Sequence, residues 1–580
     1  MKITKIFIGF LLFTICFLLN GCESVELDQT EDPSAVSNAF LDPVYTFNYV
    51  QLKLKDFVLS NNSFTQEMTR QMAMTSGNNY NNAFAPVDFN NNWQVGYSIL
   101  NAVKVMTPKA IEKKEYYALG ASKIIGAYVA MTMVDTFGDV PFSEALQAEQ
   151  NFNPKYDNSA LIYKQLFLDL DEAVSILAQS SNGNTTVQDL YYSGNVSNWV
   201  KLANTLKLKM LNNARLAGSD IGVSNVGAAM NSIIAGGNII NSSSEDFVFK
   251  FGTSRFTPNT RHPLYNNQYE LGGGLYICNY MFWTMTIEKS TTAFPNITAV
   301  KDPRTNFYFF KQVGDPAASD NFTLPRGLRP DHYNETRYNS FFEPTVRMCY
   351  LVSNWLSGTA APTNGFWGRD HGNNSGIPPD GAKRTVVGLY PIGGKYFGPG
   401  VVAGSVQTSG SAGAQGAGIL PIMMSSFVHF IKAEAILTAG VSGDAKAELI
   451  AGIDDSIDRS TRSIGAEGPQ TAVAVAVIDS DQTLYTNYIK NKYDSFTPAQ
   501  RLELVVKEYL IAAWGNGIEP YNNYRRTGYP SNFQPTLEPV SGSFFSTALY
   551  AASSTNNNPN FPVNDRSKKV FWDKLNLDLK

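Results

Sequence analysis

Apolar positions recur along this chain at intervals of three and four residues in several long blocks, the spacing that gathers them on one stripe of an α-helix. The clearest block is 109–136, where Tyr117, Ala121, Ile124, Tyr128 and Met131 step by four, three, four and three. It closes at Thr136-Phe137-Gly138, with Gly138 placed for the left-handed residue that ends a helix. Upstream, Phe40, Val44, Phe47, Leu54 and Phe57 predict a helix over 36–60, and Trp93, Tyr97 and Leu100 predict another that runs to Pro108. Downstream, helices are expected over 158–178 and 198–216, the latter with Trp199, Leu202, Leu206 and Met210 as its buried edge. Lys201, Lys207, Lys209 and Arg215 flank that edge and read as a solvated face. Neighbouring helices joined by short turns predict antiparallel pairs, as in a helical-hairpin solenoid, although no repeat of fixed length is visible.

Between about 240 and 420 the pattern changes. Runs such as DFVFKF and NFYFF, set among many Gly and Pro, predict short strands and long loops, and GSVQTSGSAGAQGAG at 404–418 is a low-complexity loop. Helical spacing returns at 425–437 through Phe427, Phe430, Ile431 and Leu437. It returns again after Thr497-Pro498-Ala499-Gln500, where Thr497 caps the helix, Pro498 sits in its first turn and Gln500 reaches back. Leu502, Val505, Val506, Tyr509 and Leu510 then face inward, with a stop at Gly515 or Gly517, while TAVAVAVI at 471–478 fits helix and strand equally. The fold class is therefore mainly α: a helix-pair scaffold, 36–235 and 420–530, with a loop-rich, partly β insert over about 240–420. Long loops held on a rigid scaffold are where a ligand site is expected.

The first twenty-two residues, MKITKIFIGFLLFTICFLLNGC, stand apart. Lys2 and Lys5 precede an apolar run that suits an export signal better than a membrane span, and the run stops at Leu19-Asn20-Gly21-Cys22. That ending resembles a bacterial lipobox, which implies a signal peptide over 1–21 and lipidation at Cys22; an ordinary secretory signal and an uncleaved anchor helix are the alternatives. The polar stretch 22–35 reads as a flexible leash and 36–580 as a single domain. No later apolar stretch approaches eighteen residues, so no further membrane span is expected.

Composition narrows the function. The chain of 580 residues is 43% hydrophobic and 17% charged, enough to bury a large core. Its net charge of −4, which becomes −6 once Lys2 and Lys5 are removed, and its lack of a dense basic run exclude nucleic-acid binding. Cys278 and Cys349 could pair in an oxidising compartment, whereas the four scattered His residues give no metal-ligand spacing, so neither a metal nor a cofactor is expected. No G-x-S-x-G, H-E-x-x-H or phosphate-cradling loop is present, and Asp370-His371, the most enzyme-like pair, reads as loop framework. Aromatics at 12%, with 29 Tyr and 36 Phe, suit stacking on a neutral polar ligand whose hydroxyls or amides are met by planar side chains. The candidate ligand-binding residues are Asn79, Tyr80, Tyr276, Trp283, Trp355, Trp367, Arg369 and Asp370, with Tyr80 expected to be exposed in its Asn-rich loop. Trp93, Trp199 and Trp514, on periodic helices, are assigned to the core, and Arg525 and Arg526 to bracing a turn around Tyr524.

Several blocks carry a resemblance. EYLIAAWGNGIEPYNNYRRTGYP (508–530), KIIGAYVAMTMVDTFGDVPFSEAL (123–146), NWVKLANTLKLKMLNNARL (198–216) and GRDHGNNSGIPPDG (368–381) resemble, in order, blocks of the SusD/RagB superfamily of outer-membrane lipoproteins, in its SusD-like branch. Glu23, Glu26 and Asp28 resemble the acidic stretch that directs some Bacteroidetes lipoproteins to the cell surface. The resemblance implies a tetratricopeptide-like scaffold and a lid on a TonB-dependent transporter, a SusC-like barrel. It also implies capture of an oligosaccharide or peptide without chemical change. A surface hydrolase of polysaccharide or peptide, and a purely structural lid, are the competing readings.

Overall fold

The structure is a computed structural model that describes residues 41–75, 80–147, 150–180, 187–272, 275–289, 300–311, 368–372, 384–396, 413–462, 472–536, 542 and 544–579. The chain divides into two units, 1–42 and 43–580, and the second carries the scaffold described here.

Six helices come first: α1 (Pro43–Met68), α2 (Asn90–Lys113), α3 (Tyr116–Phe137), α4 (Ser159–Leu177), α5 (Val196–Asn213) and α6 (Val226–Ala235). Each of the first five packs on the next, and α1 and α5 also contact α3, which leaves α3 at the centre. Almost every side chain of α3 from Tyr117 to Phe137 is buried. This corrects the expectation of no second long apolar stretch: α3 is long and apolar enough to cross a membrane, but its surface is covered by protein instead of lipid. Gly138 closes it at the expected position and with a positive φ of +83°, but its ψ of −126° lies outside the left-handed helical region that the sequence suggests. Asn158 and Asn195 cap α4 and α5 by accepting from the amides of Ala160 and Asn198. The predicted stop at Pro108 does not occur, because Met106 and Ala110, both fully buried, hold the last turns of α2 in the core.

The middle of the chain supplies β1 (Phe247–Lys250), a short helix α7 (Asn279–Met285), β2 (Phe309–Lys311), β3 (Thr385–Val387) and β4 (Ile419–Met423). β1 pairs antiparallel with β4, Phe247 opposite Met423, and β2 pairs antiparallel with β3, Phe309 opposite Val387. Both aromatic runs picked out in the sequence thus contribute a strand. Helices then return as α8 (Ser425–Thr438), α9 (Ala445–Arg462), α10 (Ala472–Ser495), α11 (Pro498–Ala512) and α12 (Ile518–Thr527). The ambiguous 471–478 segment enters α10, and α11 begins at the expected Thr497 capping box.

Two expectations are overturned in the charged positions. Lys209 and Arg215 are not solvated: Lys209 is buried against Glu519, and Arg215 Nη1 lies 3.3 Å from Glu434. Arg525 and Arg526 sit on a helix, α12, instead of in a turn, although the bracing role expected of them holds: Arg525 Nη1 donates to Ser546 O at 2.7 Å. Arg526 forks onto both oxygens of Glu434 at 2.7 Å and donates to Asn213 Oδ1 at 2.7 Å, tying α12 to α8 and α5. Burial alone would push the Glu434 carboxyl up, but the charge and hydrogen bonds of Arg526 hold it below the usual range.

Candidate functional site

Three distant segments run side by side where the scaffold meets the loop-rich face. Met72 bridges Ile277 antiparallel, and Cys278 bridges Arg369 in parallel. The Ala73 amide donates to Tyr276 O at 2.9 Å, Arg369 N to Ile277 O at 3.1 Å, and Gly372 N to Met74 O at 3.0 Å. This ladder brings together Tyr80, Tyr276, Arg369 and Asp370, four of the residues proposed from sequence.

Tyr80 is not exposed, as expected from its polar loop, but 2% accessible. Its hydroxyl accepts from Arg70 Nη2 at 3.1 Å and shares a 2.9 Å hydrogen bond with His371 Nε2. Phe544 and Phe545 meet its ring edge-on, and burial pushes the phenol up to about 12. His371 donates its amide to Gln534 Oε1 at 3.0 Å, and burial, with the Arg70 charge adding, holds its imidazole neutral. Tyr276 is buried under the guanidiniums of Arg369 and Arg384, at 5.0 and 5.3 Å from the ring centre. Asp370 accepts from Asn279 Nδ2 at 3.0 Å, so Asp370 and His371 serve different partners and form no dyad. Trp283 on α7 is half-buried, 5.8 Å from the Tyr280 ring. Asn79, Trp355 and Trp367 lie outside the described residues, as does Cys349; the buried Cys278 has no disulfide partner among the described residues.

Beside the ladder, reached through Met72 and Leu275, lies a cavity of about 370 Å³. One wall is the end of α1, with Leu59, Asn62, Gln66 and Glu67; another is the segment from His262 to Leu275; Ile392, Leu420 and Trp514 close it. Ser63 and Leu275, both exposed, mark its opening to solvent. Such a volume, mainly apolar with a few polar groups, is in the range of small-ligand sites.

The placement of Trp514 explains the W-G-N-G of the C-terminal block. Its ring stacks on Tyr308 at 5.8 Å and meets Phe309 edge-on at 5.4 Å. Asn62 clamps the following turn, donating to Gly515 O at 2.9 Å and accepting from Gly517 N at 3.0 Å. Asn516 Nδ2 donates to Pro421 O at 3.1 Å, and Gln71 Nε2 to Asn516 O at 3.0 Å. Gly515 has φ +93° and a Cβ there would lie 2.5 Å from Pro391 Cγ; a Cβ on Gly517 would lie 2.4 Å from Gln66 N. Only glycine fits either position.

The polar groups of the cavity are held neutral. Burial pushes the half-buried Glu67 carboxyl up to about 8. His262 Nδ1 accepts from Leu264 N at 3.1 Å, which leaves its proton on Nε2, and burial pulls the imidazole down to about 3. Among the described residues no lysine or arginine lines the cavity. Sequence reasoning missed Glu67, His262 and Asn267, and placed Trp514 in the core without seeing that it also walls a cavity; the W-G-N-G turn was the available signal.

Helix pairs that carry short strands, with a cavity where the two meet, define a helical-scaffold fold. A family model described as starch-binding and associating with the outer membrane matches residues 33–342, and one described as the SusD and RagB outer membrane lipoprotein family matches 405–561. The chain belongs to the SusD/RagB family, and its mainly helical, tetratricopeptide-like fold is that of the family. Among solved structures, it is similar to a chitin-binding SusD homologue from Flavobacterium johnsoniae, at TM-score 0.61 and 17% identity over 92% of this chain and 98% of that one. A SusD/RagB family protein from Bacteroides thetaiotaomicron superposes at TM-score 0.62 with 17% identity, over 92% and 99% of the two chains. A SusD homologue from Bacteroides uniformis gives 0.61 and 16%, over 92% and 100%. No curated protein matches the chain.

Proposed function

We propose that the protein is a cell-surface lipoprotein, anchored through acyl chains on Cys22, that captures an oligosaccharide or peptide and passes it unchanged to a TonB-dependent transporter. The observation that carries this reading is the family match, which spans both the first helical half and the C-terminal block. A solved relative described as chitin-binding favours a glycan over a peptide. The neutral, mainly apolar cavity supports an uncharged ligand. Against the hydrolase reading, the Asp370-His371 pair is divided between Asn279 and Tyr80, with neither side chain left to act as a base for the other.

On this reading Trp283, half-buried on α7, is a stacking platform, and the buried Tyr80, Tyr276, Arg369 and Asp370 set the loops that complete the site with Asn79, Trp355 and Trp367. Calorimetric titration of the full-length protein in detergent with pooled oligosaccharides and peptides tests it. Saturable uptake, weakened roughly 5- to 10-fold by Trp283→Ala as a stacking contact of ~1 kcal/mol requires, is the expected outcome. Cleaved ligand would establish the hydrolase instead, and no uptake from either pool would leave a structural lid.

A further inference from the structure

The buried acids among the described residues have partners. Glu434 meets Arg526, Glu519 meets Lys209, and Glu508 and Asp302 share Arg304. Asp135 accepts instead from Tyr163, Asn522 and Trp572. Glu67 differs. It is half-buried and lines the cavity beside Trp514, and its carboxyl accepts no hydrogen bond and forms no ion pair among the described residues. When it ionises, only solvent entering past Ser63 and Leu275 can meet its charge.

The elements packed around it bring no compensating charge. From the 262–275 segment comes His262, which burial holds neutral. Val387, Pro391, Ile392, Leu420 and Trp514, which close the cavity, carry nothing that titrates. On α1 itself, the Arg70 guanidinium is spent on Gln534 O, Met68 O and the Tyr80 hydroxyl, and Lys55 is paired with Asp56. An uncharged occupant would displace the solvent and supply no cation. A carboxylate would then be desolvated without compensation, whereas the protonated carboxyl has an O–H to give to a neutral acceptor. Proton and ligand therefore favour each other, and by linkage the preference is reciprocal.

We propose that capture in this cavity is proton-linked: an uncharged ligand is held while Glu67 is protonated and is released when Glu67 ionises. The inference rests on the capture reading above and adds its regulation, a grip that loosens in alkaline surroundings. Burial pushes the carboxyl of the empty cavity up to about 8, which sets the window. Below that pH the proton is already in place and affinity is level; above it each ligand must take up a proton to bind, and affinity falls.

The test is calorimetric titration of the full-length protein in detergent, at about pH 7, 8 and 9 and in buffers of different ionisation enthalpy, which counts protons. The probes are uncharged: a pool of neutral oligosaccharides, and a pool of peptides blocked at both ends and free of ionisable side chains. Binding is expected to weaken roughly 10-fold between pH 7 and 9, with proton uptake rising from about 0.1 to about 0.9 per ligand. Glu67→Gln, which keeps the shape and cannot ionise, should make affinity independent of pH and abolish the uptake. Wild-type affinity that is level or rises with pH overturns the linkage, whether or not the variant folds, and leaves capture standing. A pH dependence that survives in Glu67→Gln overturns it equally. Failure of both pools to bind at pH 7 overturns the linkage together with the capture reading.

Discussion

Replacing Glu67 by Gln should stabilise the protein at neutral and alkaline pH and leave it unchanged near pH 4. The Glu67 carboxyl lines the cavity, and burial raises it from 4.5 to about 8. Folding therefore favours the protonated form. Below the unfolded value the group is neutral in both states and costs nothing. As pH rises from 4.5 towards 8 the unfolded chain has already released its proton while the folded one keeps it, so stability falls across that window. At pH 7 the gap is about 2.5 pH units at ~1.36 kcal/mol each, a ceiling of roughly 3 kcal/mol. Glu67 is half-buried, and solvent at the cavity mouth reduces this to ~1–2 kcal/mol. Gln keeps the shape and cannot ionise, so the variant should lack the pH-dependent loss. Urea unfolding of both proteins at about pH 4, 7 and 8.5 measures the difference. A gap that opens with rising pH is expected. A gap independent of pH, or one that favours the wild type at alkaline pH, would refute the reasoning.

Arg526→Met should cost up to ~3–5 kcal/mol, because it strips the buried Glu434 of its forked partner and leaves only Arg215, 3.3 Å away, and denaturant midpoints would register the loss. Tyr80→Phe removes a hydroxyl bonded to Arg70 and His371 and should cost ~1–3 kcal/mol of stability. If acyl chains on Cys22 hold the protein to the membrane, as proposed, Cys22→Ser should move it from the detergent phase to the aqueous phase on Triton X-114 partition. Partition unchanged by that substitution would point to an apolar anchor other than lipid.

The scaffold was legible where apolar residues keep helical period. Tyr117 to Met131 announced α3, and Thr497 with Gln500 announced α11. Helix α12 was missed because it is buried through polar groups: Glu519, Asn522, Asn523, Arg525 and Arg526 give no hydrophobic stripe, and apart from bonds within the helix the partners of Glu519, Asn522, Arg525 and Arg526 lie on α3, α5, α8 and α11 or in the segment after α12. The same limit hid the burial of Tyr80. Its loop is rich in Asn and looks solvated, yet its hydroxyl meets His371, 291 residues away in sequence. Local pattern reports which face of an element is apolar; it does not report which distant polar group will satisfy another. The cavity belonged to this second category. Its walls come from α1, the 262–275 segment, β4 and the turn after α11, and only folding brings Glu67, His262, Asn267 and Trp514 together.

The central claim is that the loop-rich face holds a molecule that it never alters. Full-length protein in detergent, incubated with a mixed pool of oligosaccharides and peptides, then washed and eluted, tests this by mass spectrometry of what is bound. The account predicts a saturable, selected subset recovered at the mass at which it was supplied. Fragments that accumulate with time, or a bound fraction with the composition of the starting pool, would contradict it.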